Sequence, residues 1–430
     1  RLHPHQSAEK RSSAEELRRE CMREGRMTLM RTAMTGSRMF ATAASKTALK
    51  GPRAPLVQAK RVLVKVGSAV VSKDSGKMAL CRMGGLVEQI AELRKKGIEV
   101  MLVSSGAVGI GRYCTNLPKE VVRDPKNVID RQACAAAGQE MLMSTYDMMF
   151  QRVGLKCAQV LITQGDFLSQ DRYFALSSTL ERLANLGLVP VINENDVVTG
   201  SHFGNAPRVF EDNDMLSAIV ASGCDADALA LMTDVDGVYN MPPDQPGAQR
   251  ISVYEQGTEI EIGLKSGMGR GGMSSKIAAA SLAAAGGVQT VVASGYDVNN
   301  IGRVFAGEDI GTLFPALERP TKSQRWLSFF VNTVGSVKVN QDAMVRLLGS
   351  PNQSHLTLRD VMEVNGHFDA SEPVRLLDHT GKEFARGVTH MGAEQINKSL
   401  TMGPECSYGL DPMDMLSNPL LRPGELFVVH

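Results

Sequence analysis

Short apolar runs alternate with helical patterns through the middle of the chain. Each run is apolar along most of its length, as in strands that are covered on both faces. Between the runs, apolar residues recur at helical spacing, as with Leu86, Ile90 and Leu93 before the helix stop Gly97. The pattern predicts an α/β fold, a three-layer αβα sandwich with a mostly parallel sheet. The predicted strands are 62–66, 99–103, 157–162, 188–193, 228–232 and 290–293, and the helices after Gly97 are 130–150, 171–187, 213–223 and 274–287.

The pattern changes after residue 315. Residues 316–324 have the composition of a linker, and the apolar runs 326–330 and 374–377 follow it. A turn at 378–381 joins the second run to 384–388, a spacing typical of a hairpin. We therefore predict a leader at 1–60, a first domain at 61–317, a small, mainly β domain at 322–400 and a tail at 401–430.

Charge is unevenly distributed along the chain. The 430 residues hold 47 Lys and Arg against 46 Asp and Glu, and this net charge of +1 argues against a basic nucleic-acid coat. Residues 1–60 carry 13 basic and 5 acidic side chains, whereas 61–430 carry 34 and 41. A basic leader thus precedes a mildly acidic body.

The leader permits two interpretations. No acidic residue occurs from Met27 to Lys73, and Arg, Ser, Thr and Ala are frequent there, as in a mitochondrial transit peptide. The alternative is a disordered, dispensable extension, which is favoured because no Leu or Phe stripe recurs at helical spacing. Since the sequence starts at Arg1, Met27 is a candidate start of translation. We expect a cytoplasmic protein, with a mitochondrial location as the alternative.

Cysteine and histidine spacing argues against a metal site. The seven Cys form no CxxC pair, which predicts free thiols in a reducing compartment. The eight His show no HxxxH or HExxH spacing. No run of 18 apolar residues occurs, so we expect no membrane-spanning helix and no membrane partner.

Polar residues follow several of the predicted strands, at the sheet edge where such folds bind ligands. Lys65 is a charge within an apolar strand, which favours a phosphate-binding role over a surface position. The turn Ser104-Ser105-Gly106-Ala107 can bind an anion, or its small residues can serve packing. The run Asn193-Glu194-Asn195-Asp196 can hold an ammonium group or a phosphate and its metal, unless Asp196 only caps a helix.

Three further segments have polar residues beyond what local structure requires. Glu211-Asp212-Asn213-Asp214 precedes a helix, and capping needs fewer than four such residues. Thr233-Asp234 follows the fifth strand, where a nucleotide could bind. The glycine-rich segment 266–276 ends in Ser274-Ser275-Lys276 and predicts a phosphate cradle, although it is not a Walker A sequence and a plain linker is the alternative.

Together these segments resemble the glutamate 5-kinase family of the amino acid kinase superfamily. The resemblance covers about 61–315 and, more weakly, 322–400. The Asn-Glu-Asn-Asp run combined with Gly-Gly-Met-Ser-Ser-Lys at 271–276 is specific, whereas Lys-x-Gly at Lys65 and the pair Thr233-Asp234 indicate only the superfamily.

The resemblance implies a reaction and roles for its residues. The family transfers the γ-phosphoryl group of ATP to the side-chain carboxylate of L-glutamate, the first step of proline biosynthesis. Mg²⁺ would arrive bridged to the phosphates with few protein ligands. No general base is needed, because a carboxylate is already a nucleophile. The implied catalytic residues are Lys65, Lys276 and Asp214; Ser105, Asp196 and Asn213 would bind glutamate; and Lys65, Thr233, Asp234, Arg270, Gly271, Gly272, Met273, Ser274, Ser275 and Lys276 would bind ATP.

The C-terminal part resembles a PUA domain, a type that binds RNA elsewhere. Residues 321–430 carry 10 Lys and Arg against 12 Asp and Glu, which gives RNA binding no electrostatic support. The family further implies feedback inhibition by proline and assembly into a homo-oligomer.

Two alternatives remain open at this point. One is another superfamily member, such as an acetylglutamate kinase, an aspartokinase or a uridylate kinase. The other is a non-catalytic, RNA-binding PUA protein. The chain also departs from the family at the loop 201–211, where Glu211 replaces an expected Gly or Trp, which puts the glutamate and inhibitor side in doubt.

Overall fold

A computed structural model describes most of the chain. The described residues are 51–124, 126–199, 210–255, 258, 260, 272–329, 335–351, 353–401, 419–423 and 425–428. Among them, no helix is both long enough and apolar enough to cross a membrane.

A seven-stranded sheet forms the centre of the first part of the chain. The strands are β1 Arg61–Val66, β2 Glu99–Ser104, β3 Cys157–Ile162, β4 Val189–Glu194, β5 Ala228–Thr233, β6 Gln289–Ser294 and β7 Thr312–Phe314. Their order in the sheet is β3-β4-β2-β1-β5-β6-β7, and every neighbouring pair is parallel except β6 and β7. The prediction of an α/β fold with a mostly parallel sheet is confirmed.

Helices cover both faces of this sheet. Leu63 belongs to the apolar cluster on one face, and Val62 and Val64 belong to the cluster on the other. This alternation explains why the strands are apolar throughout. The helices are α1 Ala54–Val57, α2 Ser68–Val71, α3 Leu80–Lys95, α4 Ala107–Thr115, α5 Lys119–Arg123, α6 Val128–Arg152, α7 Gly165–Leu168, α8 Gln170–Asn185, α9 Asn213–Gly223, α10 Met273–Ala285, α11 Asn300–Phe305 and α12 Lys322–Phe329.

Helices α4 and α6 cross in direct backbone contact. A Cβ atom at Gly138 would lie 1.8 Å from the carbonyl oxygen of Ala107, and one at Gly111 would lie 1.7 Å from that of Cys134. Only glycine permits this approach, which brings the middle of α6 against the start of α4.

A second, smaller set of sheets follows. Its elements are β8 Gly335–Val339, α13 Gln341–Gly349, β9 Leu356–Thr357, β10 Val361–Gly366, β11 Pro373–Leu377, β12 Glu383–Val388, α14 Ala393–Thr401, β13 Pro419–Leu421 and β14 Leu426–Val428. A five-stranded sheet has the order β10-β8-β11-β12-β14, and β9 pairs with β13. The predicted hairpin is confirmed, since β11 and β12 pair antiparallel around the turn at 378–381.

The folded part begins before Arg61, so the leader boundary predicted at residue 60 is too late. Leu56 in α1 is 1% exposed. The buried guanidinium of Arg53 donates to the carbonyl oxygens of Ile310 at 2.8 Å and Ser252 at 2.9 Å. Arg53, one of the basic residues of the predicted leader, therefore anchors α1 to the folded domain. A count of charges along the sequence does not reveal these hydrogen bonds.

The region around residue 326 also differs from expectation. The apolar run 326–330 stands at the start of the predicted mainly β domain, but the helix α12 covers most of it. Short apolar runs do not distinguish helix from strand. Trp326 is buried, and its Nε1 donates to the carbonyl oxygen of Phe167 at 2.9 Å. Arg325 forms an ion pair with Asp225 at 2.6 Å. Beyond residue 401, where a tail was expected, β13 and β14 join the smaller sheets.

Candidate active site

A pocket of about 540 Å³ opens at the carboxyl ends of the central strands. It lies beyond β1, β2, β4 and β5, at the sheet edge expected for ligand binding. The structure brings eight of the predicted site residues to this one pocket: Lys65, Ser105, Asp196, Asn213, Asp214, Thr233, Asp234 and Lys276.

One carboxylate stands between two lysines at the floor of the pocket. Asp214 Oδ1 lies 2.5 Å from Lys65 Nζ, and Asp214 Oδ2 lies 3.1 Å from Lys276 Nζ. All three side chains are at least 90% buried. Lys65 comes from β1, Asp214 from the first turn of α9 and Lys276 from the first turn of α10. The cluster therefore carries a net positive charge that is shielded from solvent.

The ionised state of Asp214 is maintained by its neighbours. Burial alone would raise the pKa of Asp214, but the ammonium groups of Lys65 and Lys276 outweigh burial and hold the pKa below its usual value. The carboxylate thus stays charged across the neutral range and fixes both lysines.

Asp212 connects the two helices that carry this cluster. Its Oδ1 caps α9 by accepting from the backbone N–H groups of Asp214 and Met215, both at 3.0 Å. Its Oδ2 accepts from the hydroxyl of Ser275 in the first turn of α10. Sequence reasoning recognised that this segment caps a helix, but it did not assign Asp212 to the site. The bond to Ser275 joins residues 63 positions apart, a contact that no local pattern signals.

The turn after β2 also depends on glycine. Gly106 has a φ of 112°, and a Cβ atom there would lie 2.5 Å from Val71 Cγ2. The turn places Ser105 at the pocket, with its backbone N–H donating to the carbonyl oxygen of Val66 at 3.0 Å.

A side-chain amide joins this turn to the end of β4. Asn213 Nδ2 donates to Ser105 Oγ at 3.0 Å and to Asn193 Oδ1 at 2.9 Å. Two residues predicted to bind the same substrate are therefore in direct contact, although 108 positions separate them.

Asp196 differs from Asp214 in its electrostatics. Burial raises the pKa of Asp196 to about 6, and the guanidinium of Arg131 opposes this rise only in part. Its carboxylate would gain from a cationic ligand, whereas that of Asp214 already has two cations.

Thr233 and Asp234 line the pocket at the end of β5. Thr233 Oγ1 donates to Asp234 Oδ1 at 2.9 Å. Gly272, Met273, Ser274 and Ser275 cap or begin α10, and none of these four lines the pocket. Arg270 and Gly271 lie outside the described residues, as does most of the variant loop 201–211.

Basic side chains that the sequence did not single out line the rest of the pocket. They come from the turn after α2 and from α4, α5 and α6, so they are scattered along the chain and form no motif. They are Lys73, Arg112, Lys119, Arg123 and Arg131. Within the described ranges, no three His, Cys, Asp or Glu side chains converge as a metal site.

Comparison with known proteins points to one family. Residues 60–294 match the model of the amino acid kinase family. The chain is 37% identical over 345 residues to glutamate 5-kinase of Rippkaea orientalis, an alignment that covers 78% of this chain and 90% of that protein. It is 38% identical over 349 residues to glutamate 5-kinase of Citrifermentans bemidjiense, with 80% and 91% covered.

A longer relative matches over a shorter region. The chain is 43% identical over 274 residues to delta-1-pyrroline-5-carboxylate synthase of Mesembryanthemum crystallinum. That alignment covers 61% of this chain and 38% of the relative.

Proposed function

The chain belongs to the glutamate 5-kinase family, within the amino acid kinase family, and from this premise we propose how its pocket carries out the reaction. The reaction is the ATP-dependent phosphorylation of the γ-carboxylate of L-glutamate, the first step of proline biosynthesis. The observation that carries the proposal is the buried cluster of Lys65, Asp214 and Lys276.

The cluster stabilises the charge of the transferring phosphoryl group. A γ-carboxylate oxygen of glutamate forms a bond to the γ-phosphorus of ATP, and the bond from that phosphorus to the bridging oxygen breaks. ADP leaves with the electron pair, and no proton moves. Lys65 and Lys276 offset the negative charge on the phosphoryl oxygens, and Asp214 keeps both ammonium groups in place before ATP arrives.

The opposite end of the pocket binds the amino acid. Ser105 and Asn213 provide neutral polar groups, and Asp196 provides a carboxylate for the α-ammonium group of glutamate. The raised pKa of Asp196 supports this role, because an ammonium ligand would add positive charge beside a carboxylate whose ionised form is disfavoured by burial.

ATP occupies the side formed by β5 and the start of α10. Thr233, Asp234 and Lys276 line this side of the pocket, and we expect the rest of the segment 270–276 to contribute to nucleotide binding from the start of α10. The pocket fits Mg²⁺ that would arrive bound to ATP rather than Mg²⁺ held by protein carboxylates. The reason is that both oxygens of Asp214 are already paired with lysines. When bound, Mg²⁺ neutralises charge on the phosphates, and the cluster of lysines acts alongside it.

A direct assay tests this function. The purified chain is incubated with ATP, Mg²⁺ and L-glutamate, and hydroxylamine traps the acyl phosphate as a hydroxamate. We expect hydroxamate that depends on both glutamate and ATP. Hydroxamate formed with N-acetylglutamate or aspartate, but not with glutamate, would contradict the proposal and favour another superfamily member.

Other family properties stay predictions. We expect inhibition by proline at or near the glutamate end, assembly into a homo-oligomer and a cytoplasmic location. The PUA-like assignment of the smaller sheets is also a prediction, and the negative net charge of residues 321–430 gives no reason to expect RNA binding.

A further inference from the structure

We propose that Gln139 is a positioning residue that selects the amino group of the substrate. It acts through Asn193, which sets the orientation of the Asn213 amide so that the carbonyl oxygen of Asn213 faces the α-ammonium group of glutamate. This inference rests on the proposed function.

Gln139 lies behind the pocket. It is in α6, next to the glycine crossing with α4, and it is 9% exposed without lining the pocket. Asn193, at the end of β4, lines the pocket and is 2% exposed. The hydrogen bond between Asn193 and Gln139 therefore links Gln139 to a residue that lines the pocket.

A backbone group fixes the orientation of Asn193. The N–H of Glu194 can only donate, and it donates to the Asn193 side chain at 2.9 Å, so the acceptor there is the oxygen Oδ1. The Nδ2 of Asn193 then points the other way and donates to Gln139 Oε1 at 2.8 Å. Gln139 thus satisfies a buried N–H group that would otherwise favour rotation of the Asn193 amide.

The orientation of the Asn193 amide determines that of the Asn213 amide. Because Asn193 presents an oxygen, Asn213 must present its Nδ2, which donates there and to Ser105 Oγ. Both N–H bonds of that amide are used, which leaves Asn213 Oδ1. This oxygen is buried and has no hydrogen-bond partner within the described part of the chain.

Asn213 lines the pocket, so a ligand that donates a hydrogen bond to its buried oxygen would satisfy that oxygen. An ammonium group provides one, and a carboxylate does not. The chain of amides from Gln139 to Asn213 therefore favours substrates that carry an α-amino group over those that lack it.

The test compares Gln139→Met with Gln139→Glu. A methionine side chain at position 139 has a similar length but cannot accept a hydrogen bond from Asn193. A glutamate side chain at position 139 keeps an acceptor oxygen at the same distance from the backbone. Gln324→Met is the matched control, since Gln324 is equally buried and bonds to the carbonyl oxygen of Leu426, outside the pocket. The kcat and the KM for glutamate, glutarate and ATP are measured by ADP release, and melting temperatures are recorded.

We expect Gln139→Met to raise the KM for glutamate about tenfold, the scale of one buried unsatisfied N–H group, without a change in the KM for ATP. The preference for glutamate over glutarate, which lacks the amino group, should fall by a similar factor. Gln139→Glu should retain most of that preference, and Gln324→Met all of it.

Equal losses with glutamate and glutarate would overturn the proposal and assign Gln139 a packing role only. Loss of the preference in Gln139→Glu, where the acceptor is retained, would overturn it as well. Failure of the proposed function is distinguishable, because the unaltered chain would then show no glutamate-dependent ADP release.

Discussion

The two ends of the pocket differ in how their buried carboxylates are stabilised. At the phosphoryl end, Asp214 pairs with two lysines, and its pKa lies below the usual value. At the glutamate end, neutral amides form the wall, and Asp196 has a pKa raised to about 6 by burial. The first end is complete before any ligand binds. The second leaves an amide oxygen, Asn213 Oδ1, for the substrate to satisfy.

This difference separates catalysis from recognition. A preformed charge cluster stabilises a transferring phosphoryl group at no cost of reorganisation. A buried carboxylate with a raised pKa destabilises the empty site and strengthens the binding of a cationic group. We therefore expect changes at the phosphoryl end to act on kcat and changes at the glutamate end to act on the KM for glutamate.

The largest expected effect is at the phosphoryl end. Lys276→Ala should lower kcat by about 10²–10³, the scale for the loss of one preorganised electrostatic group. Lys95→Ala removes an exposed lysine from α3 and is the control. Hydroxamate formation gives the rate, and the melting temperature gives the folded fraction. Loss of folded protein in proportion to the loss of rate would refute a catalytic role.

Asp196→Asn should act on binding. It removes the carboxylate that the α-ammonium group needs, so the KM for glutamate should rise about 10–100-fold, the scale of a hydrogen bond to a charged group.

Ionised Asp196 destabilises the fold above pH 6, because its folded pKa exceeds its unfolded value. This free-energy cost disappears as pH falls through 6 towards 4. The variant should therefore have a higher melting temperature at pH 8. A lower one would contradict the raised pKa.

The pH dependence should distinguish the two ends. Below pH 6, protonation of Asp196 should raise the KM for glutamate by up to about tenfold per pH unit. Asp214 remains ionised there, so the KM for ATP should not follow the same curve. Initial rates of ADP release between pH 5 and 8 provide both values. In Asp196→Asn, the inflection near pH 6 should be absent.

The smallest effect is expected at Asp212, which connects the helices α9 and α10 beneath the pocket. Asp212→Ala removes the cap of α9 and its link to Ser275, and it should cost about 1 kcal/mol of stability. Urea unfolding measures this, with Asn340→Ala, the cap of α13, as the control. A far larger loss of activity than of stability would show that Asp212 does more than hold the helix.

Sequence patterns predicted much of this architecture because most of it is local. Charged or polar residues next to buried strands, such as Lys65 and Asp196, are anomalous within their own segments. The Ala-rich helix behind Lys276 and the apolar strands are likewise local features. β7 was missed, since three residues are too few for a periodicity.

What could not be predicted depends on contacts between distant segments. Gln139 is an ordinary helical residue in its own segment, and its hydrogen bond joins it to Asn193, 54 positions away. Arg131 becomes relevant only where it faces Asp196. Arg53 has no special context in the leader, and its partners lie about 200 to 260 positions further along the chain.

One binding measurement tests the division of the pocket most directly. Calorimetric titration of glutamate without ATP gives its Kd for the unaltered chain, Lys276→Ala and Asp196→Asn. We predict that Lys276→Ala binds glutamate as the unaltered chain does, whereas Asp196→Asn binds it at least about tenfold more weakly. Weaker binding by Lys276→Ala together with unchanged binding by Asp196→Asn would contradict the account.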